Sequence, residues 1–233
     1  MVGISIEAGE DGRGLLRLRA EDAKHAMRYA ACQPNRLPDW FEPLYRAYPE
    51  TGFALVWGET RWELANGAPD QPMHDMLHDL VYRAPWLHAD MAVPIHDWFV
   101  EHGAINHDAL RYGRSIMVSG GLPAEKLATL ARQQVDTAPA SQQPAWYALW
   151  VDTDADAAIP KLEARLAALP RPDDARFAEQ FVVALVGGRR ENGPTIGRWR
   201  TPPHLKRLYL LMHRHIRSSE DINRAGGGVY WRS

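Results

Sequence analysis

The chain has 233 residues, 45% of them hydrophobic and 24% charged, and its formal net charge is −2. This composition excludes disorder on a large scale, and the charge argues against general binding of polyanions. Cys32 is the single cysteine, so no intrachain disulfide can form, and no apolar run approaches the roughly 20 residues of a membrane span. We therefore expect a cytoplasmic protein with no membrane partner.

The first 20 residues differ from the rest of the chain. Two short apolar runs, residues 3–6 and 15–18, flank a glycine-rich segment. This pattern predicts a short β-hairpin within residues 1–20.

From residue 21 the apolar residues recur at three- and four-residue spacing, which predicts amphipathic helices. Residues 72–103 predict a helical hairpin in which Pro94 should kink or restart the second arm. One such pair cannot bury both of its faces. Because segments with the same pattern lie before and after it, a stack of helical repeats is predicted.

Boundary residues in the second half of the chain support this organisation. Asn106 is a predicted N-cap, Pro123 a predicted first residue of the next helix and Asp156 a further predicted cap. Thr201 opens the last predicted helix, and residues 226–233 form a glycine-rich tail. The predicted core includes Trp40, Leu77, Trp98, Leu166, Leu208 and Met212.

Together these elements predict an all-α fold. We expect a HEAT-like α-solenoid of about nine helices over residues 21–225, with a loose period of roughly 35 to 45 residues. An irregular helical domain with a single core is the alternative. In the predicted division of the chain, residues 1–20 are a separate hairpin-like segment and residues 226–233 are a flexible tail.

Four segments carry a resemblance to a known class of proteins: residues 38–40 (PDW), 77–80 (LHDL), 144–146 (PAW) and 201–217 (TPPHLKRLYLLMHRHIR). They resemble helical-repeat regions that lie C-terminal to the nucleotide switch in bacterial STAND or NACHT-type NTPases. That family holds its nucleotide on a glycine-rich loop ending in Lys-Ser or Lys-Thr, and no segment here matches such a loop. The resemblance therefore implies a sensor or scaffold region without the motor.

A cluster of histidine and aspartate offers a metal site. His74 and His78 lie four residues apart, a spacing that can bring two imidazoles to one metal. His78 and Asp79 also resemble the His-Asp doublet of HD-type phosphohydrolases, for which His25 and one of Asp97, Asp108 or Asp152 are the further candidate ligands. The alternative is a solvated polar helix face, which we favour, so no metal and no cofactor are expected.

The basic residues are concentrated near the C-terminus. Residues 189–217 contain eight basic residues and one glutamate, a net charge of +7 that leaves −9 for the remainder. An exposed Trp199 between two arginines could anchor a partner or stack on a base, whereas a packed Trp199 would make this segment merely a solvated face. The candidate binding residues are Arg189, Arg190, Arg198, Trp199, Arg200, Lys206 and Arg207.

The sequence therefore predicts a non-catalytic recognition or regulatory scaffold that binds a protein partner. An HD-like metal-dependent phosphohydrolase centred on His78 and Asp79 is the first alternative. Nucleic-acid binding through residues 189–217 is the second.

Overall fold

The computed structural model describes residue 14 and residues 17–31, 37–68, 75–187 and 194–216. All regular secondary structure within these residues is helical, and none of them forms a β-strand. A 3-10 helix, Pro85–Leu87, lies between the fourth and fifth α-helices. The α-helices are α1 (Ala20–Ala31), α2 (Phe41–Ala47), α3 (Pro49–Asn66), α4 (Asp75–Tyr82), α5 (His88–His102), α6 (His107–Ser119), α7 (Ala124–Thr137), α8 (Gln143–Thr153), α9 (Ala155–Ala168), α10 (Asp173–Val186) and α11 (Pro202–Ile216).

The predicted all-α class is confirmed for the described residues. The predicted helix number of about nine is too low, because the described residues alone contain eleven α-helices. The short helices α2 and α4, seven and eight residues long, are separate elements. The predicted hairpin in residues 1–20 lies mostly outside the described residues, and the predicted tail, residues 226–233, lies wholly outside them.

Side-chain caps explain two of the helix starts. The side chain of Asn106 accepts a hydrogen bond from the backbone three residues on (2.8 Å) and begins α6, as predicted. Asp154 caps α9 in the same way (3.2 Å), whereas the sequence pattern had indicated Asp156. Pro94 does not restart its helix, because α5 is continuous from His88 to His102.

Helix α8 lies at the centre of the core. Every residue from Pro144 to Thr153 is buried, and the helix packs against α6, α7, α9 and α10. Trp146 is fully buried and meets Phe99 of α5 edge to face, with ring centroids 5.9 Å apart. Because α8 has no solvent-facing side, its sequence needs no polar stripe.

Most other packing joins helices one or two positions apart along the chain. Among the predicted core residues, Leu77, Leu166 and Leu208 are buried. The others, Trp40, Trp98 and Met212, are partly buried against the same core. Within the described ranges, none of the helices has the length and hydropathy to cross a membrane.

Candidate binding cleft

Asp152, near the end of α8, is fully buried and holds a loop formed by residues 194–200. Its carboxylate accepts four hydrogen bonds from that loop, given by the Thr195 hydroxyl, the backbone N–H groups of Ile196 (3.0 Å) and Gly197 (2.9 Å), and the indole N–H of Trp199 (3.1 Å). The backbone carbonyl of Asp152 also accepts from the N–H of Arg198 (3.1 Å). One residue of the core therefore fixes the path of this loop.

Arg114 of α6 supplies a fifth donor to the same carboxylate. Its Nη2 lies 3.3 Å from Oδ2 of Asp152, and its Nη1 donates to the carbonyl of Ala184 in α10 at 2.5 Å. Its Nε is buried and has no hydrogen-bond partner among the described residues. Burial lowers the pKa of Arg114 and the Asp152 carboxylate opposes that shift, and a guanidinium stays charged in such a site. Arg114 thus joins α6, α8 and α10.

A cleft of about 620 Å³ opens beside this network, between α6, the end of α10, the residue 194–200 loop and the turn after α4. Its size lies in the range of small-molecule sites. Arg111, Arg114 and Arg200 line it, together with hydroxyl and imidazole side chains. No aspartate, glutamate, asparagine or glutamine contributes to the described part of the lining. The side chains of the wall are therefore rich in hydrogen-bond donors.

The three arginines of the cleft differ in their charge partners. Arg111 Nε lies 3.1 Å from Asp108 Oδ1, and Arg114 is paired with Asp152. Arg200 forms no ion pair with any described residue, and its guanidinium carbon lies 5.3 Å from the centroid of the Trp199 ring. Among the three cleft arginines, Arg200 is therefore the one whose positive charge is not balanced by a described carboxylate.

Two histidines also line the cleft, one of them buried and the other exposed. His88 is buried, and its Nε2 lies 2.8 Å from the carbonyl oxygen of Leu80, which can only accept a hydrogen bond. Nε2 therefore carries the proton, and burial lowers the pKa of His88, which favours the neutral ring. His107 is exposed. In the described part of the chain, Ser115 and Ser119 of the cleft form no hydrogen bond with a histidine.

The predicted basic segment is divided among several environments. Trp199 is only 8% exposed, which agrees with the packed alternative and not with an exposed anchor. Arg198 and Lys206 are exposed, and Arg207 forms a two-pronged ion pair with Glu163 (2.7 and 2.6 Å). Arg189 and Arg190 lie outside the described residues. Of the predicted binding residues that are described, Arg200 alone lines the cleft.

The predicted histidine and aspartate cluster has a structural use. Asp79 accepts a hydrogen bond from the backbone N–H of Leu37 (2.6 Å), which fixes the segment before α2. His78 is half exposed and its ring lies 4.7 Å from that of Tyr82. His74 lies outside the described residues, and among those described no three histidine, cysteine, aspartate or glutamate side chains come together as a metal site would require. Asp152, a further candidate ligand, is engaged by the loop.

Comparisons of the chain with models of protein families, with curated proteins and with solved structures found no match. The resemblance to STAND or NACHT-type regions accordingly stays an expectation.

Arg111 and Arg114 were missed as site residues by the sequence interpretation. A signal for them exists, because they lie three residues apart on the helix that Asn106 was predicted to cap and must share a face. The apolar side of the cleft was also missed. Val183 and Val186 belong to a predicted helix whose ordinary apolar pattern marks core as readily as a binding surface.

Proposed function

We propose that this chain is a non-catalytic recognition domain that binds an anionic ligand in the cleft between α6, α10 and the residue 194–200 loop. The observation that carries the proposal is the make-up of the cleft wall. Three arginines and several hydroxyl groups line it, and no carboxylate does so among the described residues. A concave, donor-rich surface complements a ligand rich in acceptors and negative charge.

The preorganisation of the wall supports binding. Arg114 and the residue 194–200 loop are both held by the buried Asp152 carboxylate, so little side-chain or loop ordering remains for the ligand to drive. We propose recognition and not catalysis because the cleft serines have no histidine partner within the described residues. The protein partner and the nucleic-acid partner stay predictions, and the buried Trp199 offers no exposed ring for a base.

We also propose a HEAT-like stack as the architecture that carries this cleft. The packing of helices mainly against neighbours one or two positions along the chain supports it. The fully buried α8 is the element least like a repeat helix, because solenoid helices expose one face. The resemblance to STAND or NACHT-type regions would make the domain a sensor within a larger protein.

Calorimetric titration tests the proposed function. The wild type, Arg200→Gln and Arg132→Gln are titrated at low ionic strength with inorganic phosphate, citrate and octanoate. Arg132 is the matched control because it is an exposed arginine on α7, away from the cleft. We expect at least one anion to bind, and Arg200→Gln to weaken it about tenfold or more, since hydrogen bonds to charged groups contribute roughly 1.5–3 kcal/mol. The proposal would be contradicted if none of the three anions bound to the wild type, or if Arg200→Gln and Arg132→Gln weakened binding equally.

A further inference from the structure

Exposed apolar side chains line the cleft that we propose to bind an anion. Tyr82 is 49% exposed, Val183 58% and Val186 57%, and all three line the cleft. Single exposed apolar residues are ordinary, but several in one concave site indicate a surface that a ligand covers. The cleft is therefore apolar as well as cationic.

Arginines and apolar groups are neighbours in this wall. Nη1 of Arg111 lies 3.4 Å from the hydroxyl of Tyr82. Nη1 of Arg114 binds the carbonyl of Ala184, the residue directly after Val183. These two contacts place both arginines beside apolar parts of the same wall. A small hydrophilic anion would leave that surface in water, whereas an anion with a hydrocarbon body would bury it.

The charge balance of the wall indicates how much charge the ligand carries. Arg111 is paired with Asp108, and Arg114 with Asp152. Arg200 is the cleft arginine that has no carboxylate partner in the described ranges. One uncompensated positive charge matches a monoanion, because a second negative charge in the same site would be desolvated without a partner.

We propose that the cleft binds an amphipathic monocarboxylate, with its carboxylate at Arg200 and its hydrocarbon body against Tyr82, Val183 and Val186. This inference rests on the proposed function, and it adds the ligand class. The cleft volume of about 620 Å³ is that of a site for a small organic acid.

The test is a chain-length series of straight-chain carboxylates, namely acetate, butyrate, hexanoate, octanoate and decanoate, below their micelle concentrations. Burying one methylene contributes about 0.8 kcal/mol, so affinity should rise about fourfold per methylene until the chain fills the cleft. Octylammonium, 1-octanol and octyl phosphate carry the same tail with a positive, neutral or dianionic head. We expect octanoate to bind more tightly than each of these three.

Variants assign the two parts of the ligand to the two parts of the cleft. The double variant Val183→Ser, Val186→Ser should flatten the chain-length series and leave acetate unchanged. Val93→Ser on α5 is its matched control, because Val93 is 48% exposed and lies outside the cleft. Arg200→Gln should weaken all carboxylates about tenfold or more and leave 1-octanol unchanged. Both valines are largely exposed, so these variants should fold, and their melting temperatures verify it.

Each result has one meaning. A steep chain-length series that the valine double variant flattens supports the inference. Arg200-dependent binding of phosphate or citrate without chain-length dependence overturns this inference and leaves the proposed function standing. If octylammonium or 1-octanol binds as tightly as octanoate, the cleft does not require a carboxylate head group and the inference is overturned. If no anion binds, both the inference and the proposed function fail. If Arg198→Gln and Arg200→Gln lose equal affinity for carboxylates, binding depends on the basic charge of the loop in general. That result would overturn the proposal that the ligand binds in the cleft.

Discussion

Asp152→Asn tests whether one buried carboxylate organises the cleft wall. Asparagine keeps the size and shape of the side chain and removes its charge. Five donors converge on the two carboxylate oxygens, three of them on Oδ1 and two on Oδ2. Asparagine offers a single acceptor oxygen, so in either orientation at least two donors lose an acceptor and face an N–H₂ group.

The cost can be estimated from the burial of the two charges. Asp152 has no exposed side-chain surface and Arg114 is 14% exposed, so the variant leaves a guanidinium without its counter-charge in the interior. Removing one partner of a buried ion pair typically costs 3–5 kcal/mol. We expect a loss of about 3 to 5 kcal/mol, against a total unfolding free energy of roughly 5–15 kcal/mol for a domain.

Urea unfolding followed by far-ultraviolet circular dichroism measures this change. The control is Glu179→Gln, an exposed carboxylate on α10, which should shift the unfolding free energy by no more than about 0.5 kcal/mol. A loss below about 1 kcal/mol for Asp152→Asn would refute the reasoning, because that is the size of an exposed ion pair.

Three further predictions concern stability. Burial raises the pKa of Glu63 to about 7, above its ordinary value of 4.5, so folding favours the protonated form. The wild type should therefore lose about 3 kcal/mol relative to Glu63→Gln as pH rises from about 4.5 to above 7, and urea unfolding at the two ends of that range measures it. Gly113→Ala should cost about 1–3 kcal/mol because its Cβ would lie 2.4 Å from the Phe99 ring, whereas Gly58→Ala, with open space around it, should be neutral or stabilising in thermal melts. Trp199→Phe should cost about 1.5–3 kcal/mol by removing an indole hydrogen bond to a buried, charged carboxylate, and an unchanged melting temperature would contradict this.

The helices were predictable because their signals are local. Apolar spacing and caps such as Asn106 act over a few residues. Helix α6 begins directly after Asn106, as that residue predicts. Pro94 was less informative, since α5 continues through it. Helix α8 gave the weakest periodic signal, because it is buried on all sides and carries no polar stripe.

The site was not predictable, because its contacts join distant parts of the chain. The hydrogen bond from Trp199 to Asp152 spans 47 residues, and that from Arg114 to Ala184 spans 70. Composition located a basic segment but could not show that Trp199 is packed or that Arg207 is paired with Glu163. The same segment therefore supplies one described arginine to the cleft, together with Pro194 and Thr195, while Trp199 supports packing and Arg198 and Lys206 face solvent.

The attachment of the cleft to the core through Asp152 separates two kinds of variant. The Arg200 side chain stacks on Trp199 and forms no ion pair with a described residue, so its loss should weaken ligand binding and leave stability nearly unchanged. Asp152 bonds both to Arg114 and to the residue 194–200 loop, so its loss should remove two walls of the cleft together and reduce stability and binding in parallel. By linkage, a ligand held by those walls should raise the melting temperature of the wild type, with a stabilisation that grows as the logarithm of the ratio of ligand concentration to Kd, and should raise that of Asp152→Asn far less. A ligand that stabilised both proteins equally would have to bind elsewhere on the chain.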